Sequence, residues 1–95
     1  MENILTRIPV IYFAEGDRIV AYSPALDLST CGVNEQQAHQ RFTEAVSVFF
    51  KELNDMGTLE EVLEECGWRK NRKHGWSPPA FKSYSEEVIR IPLGV

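Results

Sequence analysis

Cysteine is scarce in this chain: its 95 residues include only Cys31 and Cys66. Neither belongs to a Cys-x-x-Cys pair, and a small secreted scaffold stapled by disulfides would carry more. Taken with His39 and His74 they offer no pair at zinc-type spacing, so no metal site and no cofactor is expected. Long apolar runs are missing as well, since none approaches the ~20 residues that cross a bilayer. The opening Met1-Glu2-Asn3 has neither the basic nor the apolar stretch of a signal peptide. The expected address is the cytoplasm, without membrane association. A chain this short has no room for a second core, so residues 1–95 should form one domain.

Charge of one sign is absent from one stretch. Between Trp68 and Tyr84 there is no acidic residue, while Arg69, Lys70, Arg72, Lys73 and Lys82 all fall there. The formal net charge is nevertheless −4, so the remainder is more acidic than the average implies. That balance does not describe a dedicated nucleic-acid binder, which needs clustered Lys and Arg to neutralise phosphate. A hydrophobic share of 43% with 25% charged residues is that of an ordinary globular protein.

What is present reads as an α+β domain. The run Ile8-Pro9-Val10-Ile11-Tyr12-Phe13-Ala14 is β-branched and aromatic, and Glu15-Gly16-Asp17 stops it with a hairpin signal. The return strand spans residues 18–23, and Pro24, lacking an N–H, ends it. A short third strand is expected over residues 26–31, with Leu26, Leu28 and Thr30 on one face. Asn34 then suits an N-cap, with Gln37 placed to reach back as in a capping box. Behind it, Ala38, Phe42, Ala45, Val46, Phe49, Leu53 and Met56 recur at helical spacing. Gln36, Gln40, Glu44, Lys51, Glu52 and Asp55 fall outside that stripe and should face water. Gly57 closes this helix of residues 35–56.

A second, shorter helix is expected over residues 59–66, capped by the Thr58 hydroxyl and Glu61 and ended by Gly67. Residues 69–82 read as a loop, given Asn71, Gly75, Ser77, Pro78 and Pro79. Residues 87–93 alternate Ile89, Ile91 and Leu93 with Val88, Arg90 and Pro92, which predicts a last strand at a sheet edge. The sum is a small antiparallel sheet of three to four strands packed on one long helix and a short one. Edge pairing of residues 87–93 across a two-fold axis would make a homo-oligomer.

The order strand, hairpin, strand, then Ser23-Pro24-Ala25-Leu26-Asp27, a Cys31-Gly32 turn and a long helix resembles the HicB family. These are the antitoxin-like halves of bacterial toxin–antitoxin pairs. The segment from Thr58 through Leu59, Glu60 and Glu61 to Cys66-Gly67-Trp68 resembles an ending that recurs in HicB-like proteins. The resemblance spans roughly the first 68 residues. It implies a partial RNase H-like fold without nuclease activity, and a HicA-like partner, a small basic RNA-cleaving toxin. Many family members also carry a helix-turn-helix or ribbon-helix-helix module for their own operator. Here the family's frequent Leu-Pro-Gly-Cys turn is replaced by residues 26–32, and no pair of helices follows the last strand-like run, so a lone domain is expected.

Candidate site residues follow from charge. Glu15, Asp17 and Asp27 should gather at one end of the sheet, with Glu44, Glu52 and Asp55 on the outer helix, where they would steer a cationic protein. The same charges also read as ordinary surface charge that keeps a protein dispersed. A metal nuclease would need carboxylates converging on ions about 4 Å apart, and only Asp27 is placed to face such a sheet. Cys31 and His39, eight residues apart, lack an orienting third group, and both cysteines read as small buried apolar residues. No enzyme is expected. The alternative to protein binding is nucleic acid: Trp68, Arg69, Lys70, Arg72, Lys73 and Trp76 interleave cations with rings that stack on bases. The same segment reads as a solvated loop in which Trp68 packs inward.

Overall fold

The computed structural model describes residues 6–71 and 75–94. Gly16 takes a left-handed φ of 61° and folds β1 (Ile11–Glu15) back on β2 (Arg18–Ser23), pairing Glu15 with Arg18 and Ile11 with Tyr22. β3 (Leu28–Gly32) runs back along the other side of β2, from Ser23↔Leu28 to Ile19↔Gly32. The result is an antiparallel meander in the order β1-β2-β3.

The third strand starts later than its alternation suggests. Residues 24–27 form a turn: the buried Ser23 hydroxyl accepts the Ala25 N–H at 3.2 Å, and the Leu26 N–H reaches the Ser23 carbonyl at 3.4 Å. Asp27 closes this turn at φ 49°, a conformation that Asp tolerates better than most residues. Leu26 is therefore a buried turn residue, not a strand residue.

α1 (Glu35–Met56) begins at the expected cap. Asn34 Oδ1 accepts the Gln37 N–H at 2.8 Å, and Gln37 Oε1 accepts the Val33 N–H at 2.9 Å. Both ends of the reciprocal cap are thus made, the second one residue earlier than in a standard box. At the far end the Thr58 N–H bonds the Leu53 carbonyl and the Gly57 N–H the Asn54 carbonyl, a Schellman closure. That closure changes how α2 (Leu59–Glu65) starts. Thr58 has φ −110° and ψ 11°, outside the extended region of an N-cap, and its hydroxyl makes no capping bond, contrary to the sequence expectation.

α1 lies across β2 and β3, on the face carrying Ile19, Ala21, Leu28 and Thr30. Gly32 explains how close it comes. A Cβ at that position would stand 2.6 Å from the Ala38 backbone nitrogen, so only glycine lets the end of β3 meet the first turn of α1. One core cluster, Ala21, Ala38 and Phe42, fills this contact. A second, Ala25, Leu26, Leu63 and Trp68, sits below the turn of residues 24–27, with Phe49, Phe50 and Leu59 packed against it.

Two clusters are needed because helix and sheet differ in length. A helix of 22 residues is about 33 Å long, whereas strands of 5 or 6 residues reach roughly 17–20 Å. The overhanging part of α1 is covered by α2 and Trp68 instead of by the sheet. Phe42 is buried and Phe49 and Leu53 are half-buried, while Met56, the last member of the expected stripe, is exposed beyond both supports. The six polar residues expected to face water all do.

Past α2 the expected loop contains a short antiparallel ribbon, β4 (Arg69–Asn71) paired with β5 (Gly75–Ser77). The expected last strand does not form: residues 80–94 adopt no regular structure and all are exposed. Alternation marks a segment able to pair but supplies no neighbour, and among the described residues no strand lies beside it. No helix among the described residues is long and apolar enough to cross a membrane.

Candidate docking surface

The meander places the three acidic candidates at opposite ends of the sheet. Glu15 and Asp17 flank the β1–β2 turn, whereas Asp27 closes the β2–β3 turn. The length of β2 separates them, about 17 Å at roughly 3.3 Å per residue. The expected cluster is therefore two separate places. Arg18, paired with Glu15, dilutes the first. At the second, the Tyr22 hydroxyl donates to Asp27 Oδ1 at 3.1 Å. That bond, reinforced by desolvation and by the carboxylate charge, raises the Tyr22 phenol above its usual pKa.

The remaining candidates are also dispersed. Cys31 projects from the sheet face away from α1, in register with Val20 and Phe13, and is exposed, not buried as its sequence context suggests. His39 sits on the α1 side, where Nδ1 lies 3.0 Å from the Tyr12 hydroxyl. A Cys31–His39 pair is thus split across the sheet. Cys66 is half-buried against the lower core cluster; burial, with the Asp27 and Glu65 carboxylates behind it, pushes its thiol pKa up. Among the described residues, no three His, Cys, Asp or Glu side chains come together as metal ligands.

The basic and aromatic segment divides in the same way. Trp68 is a core residue: its Nε1 donates to the Ala25 carbonyl at 2.7 Å, and its ring meets Phe50 edge-on at 6.2 Å. A side chain held so cannot stack on a base. The Trp68 N–H also bonds the Leu63 carbonyl, and Gly67 at φ 89° supplies the reversal that turns the ring inward. Lys70 is paired with Glu60 at 2.7 Å and lies 5.9 Å from the Trp76 ring centre; the bond to Glu60, then its charge, raises the Lys70 pKa. Trp76 is half-buried against the core, and Arg69 is exposed. Arg72, Lys73 and His74 lie outside the described residues.

A different surface has the geometry of a docking site. Leu28, Ala45, Val48 and Phe49 floor an open groove along α1 beside β3, edged by Arg41, Glu44 and Glu52. The helical residues recur at intervals of three and four, so they share one flank of the helix. Val48 leaves 54% of its surface uncovered there, in the middle of the floor. Arg41 is engaged at one end, Nη1 donating to the Cys31 carbonyl at 3.0 Å, which leaves Glu44 and Glu52 as the outward charges of the rim. Asp55, exposed on the same helix, adds a further acidic charge, whereas the exposed carboxylates of α2 line none of the groove and one of them, Glu60, is paired with Lys70.

Sequence reasoning assigned Glu44 and Glu52 to water correctly but did not find the groove. Val48 lies beside the apolar stripe, not within it, and its partner Leu28 comes from another element. No protein-family model, curated protein or solved structure matches this chain.

Proposed function

We propose that this protein is a non-catalytic binding module of the HicB-like antitoxin kind, which neutralises a small basic RNA-cleaving toxin by covering it. The observation that carries the reading is the groove beside β3: an apolar floor with an exposed Val48, rimmed by Glu44 and Glu52, on an acidic helical surface. Such a site takes an apolar anchor from a cationic partner, the charges speeding encounter and the floor supplying hold. The order β1-β2-β3-α1-α2 agrees with the element order the resemblance implies. The mechanism is occlusion, with no bond made or broken.

Nucleic-acid binding is the weaker reading on this geometry. Trp68 is committed to the core and Lys70 to Glu60.

The test is co-expression with a small basic RNA-cleaving protein of the HicA kind, sought first among the products of the neighbouring genes. The full chain should restore growth and co-purify with the toxin. Val48→Asp should weaken the complex about tenfold or more, as a charge in a desolvated anchor site does. Glu44→Lys with Glu52→Lys should slow association and flatten or reverse its dependence on salt, because the attraction that salt screens is gone. Absence of binding and of growth rescue with the wild-type chain would overturn the reading.

A further inference from the structure

Among the described residues, two apolar backbones lack a strand beside them. One is the outer edge of β1, whose Ile11 and Phe13 are exposed although the strand is apolar. The other is the segment of residues 87–93, where Ile89, Ile91 and Leu93 leave 69%, 71% and 84% of their surfaces uncovered. The last half-buried residue before it, Pro79, is its anchor and lines a pocket with Pro9, Pro24 and Cys66. Beyond that anchor the chain leaves the body. The radius of gyration is 16.2 Å, against about 12 Å for a compact domain of this length, and the longest dimension is 53 Å.

We propose that residues 87–93 form an arm that adds as a strand to the free edge of β1 in a second copy of this chain, giving a reciprocal two-fold dimer. Three observations select this arrangement. An extended strand presents the N–H and carbonyl of alternate residues to opposite sides. Pro92 therefore disables the side it shares with Val88 and Arg90, and leaves the Ile89, Ile91 and Leu93 side with every donor intact. The receiving edge is also selected. On β3 the Arg41 guanidinium already occupies the outward Cys31 carbonyl, guarding that edge. β1 has the apolar side chains of an inner strand but, among the described residues, only β2 beside it. Finally, two arms exchanged about a two-fold axis cover both unpaired edges at once and close the assembly, with the blunt Pro92 side outermost. Self-association of this kind is independent of the toxin-binding reading, since the arm and the β1 edge contain none of the groove residues.

Sedimentation equilibrium on the full chain should give twice the 10.9 kDa chain mass. Ile89→Pro removes a ladder donor and should raise the dimer dissociation constant tenfold or more. Arg90→Pro imposes the same ring on the non-pairing side and should change it by no more than about twofold. Ile89→Val, which keeps the donor and most of the apolar surface, should leave the dimer in place. Phe13→Asp, at the receiving edge, should dissociate it. All three positions are exposed, so the fold of the single chain should survive, and far-ultraviolet circular dichroism should change by no more than the strand signal of the released arm. A monomeric full chain would overturn the proposal, including one that captures another protein through the arm. So would equal effects of Ile89→Pro and Arg90→Pro, which would show adhesion of side chains without a backbone ladder.

Discussion

The two faces of the three-stranded sheet are built from the same strands and have opposite fates. The face under α1 carries Ala21 and Ser23, both fully buried, with Thr30 donating its hydroxyl to the Ala38 carbonyl at 3.0 Å and Gly32 against the helix backbone. Tyr12, Ile19 and Leu28 share that face around them. The other face carries Ile11, Phe13, Val20 and Tyr22 together with Glu15 and Arg18, and among the described residues no helix covers it. Apolar bulk alone does not separate the two sides. The helix brings its own bulk in Phe42 and Val46, and it needs a face of small residues to reach packing distance. Alternation in a strand shows that two faces exist; on the one that receives the helix, small residues stand where the backbones come closest.

The largest expected effect tests the covered side where the sheet ends. Trp68→Ala should destabilise the protein by about 3–5 kcal/mol, the range for a large aromatic removed from a core. Its bond to Ala25 and its edge contact with Phe50 tie α1, α2 and the turn of residues 24–27 together. Urea unfolding followed by circular dichroism measures it. A cost below about 1 kcal/mol would mean that the lower cluster does not support the overhang of α1.

Gly32→Ala tests the close approach directly. The new methyl would lie 2.6 Å from the Ala38 nitrogen and 2.9 Å from the Gln37 side chain, and backbone cannot yield as a side-chain end would. A loss of about 1–3 kcal/mol is expected, as for overpacking. A neutral result would show that α1 can lift from β3 without penalty.

How much of this could be read beforehand follows from the range of the interactions. The hairpin, the Asn34 cap, the Gly57 stop and the long helix rest on neighbours within a few residues, and all are visible in sequence. The α+β class follows from them. The inward turn of Trp68 was legible as an alternative, because Gly67 precedes it. What failed was long-range or relational. Asp27 joins Glu15 and Asp17 only if the connection from β2 returns to the same end, and a meander takes it to the opposite one. Residues 87–93 have the alternation of a strand, but pairing depends on which edges remain open. Both cysteines read as buried because cysteine usually is; the face on which Cys31 falls depends on register with β2.

Those two cysteines sharpen the comparison of the faces at a smaller scale. Cys66→Ser places a hydroxyl against Leu63 and Trp68 and should cost about 1 kcal/mol. Cys31→Ser, on the open face, should fall within about 0.5 kcal/mol of the parent. Alkylation by iodoacetamide near neutral pH gives a second readout, since the thiolate is the reacting form. Cys31 should be labelled first, because Cys66 is half-buried and its thiol pKa is raised. Equal rates would mean that the lower core opens as readily as the free face is exposed.

The smallest effect belongs to the edge of the open face, where Tyr22 meets Asp27. The phenol pKa is raised above its ordinary value near 10, chiefly by its bond to the carboxylate. A proton bound more tightly in the folded state contributes stability in full below the unfolded pKa, and that contribution disappears as pH climbs through the folded value. Stability should therefore decline on the alkaline side, over a window that begins near pH 10 and extends through the raised Tyr22 pKa. Asp27→Asn removes the bond's charge and the repulsion of phenolate, so the Tyr22 component of an ultraviolet phenolate titration, identified by its loss in Tyr22→Phe, should move to lower pH. An unmoved midpoint would detach Asp27 from Tyr22 and leave the left-handed backbone at Asp27 as that residue's whole contribution to the turn.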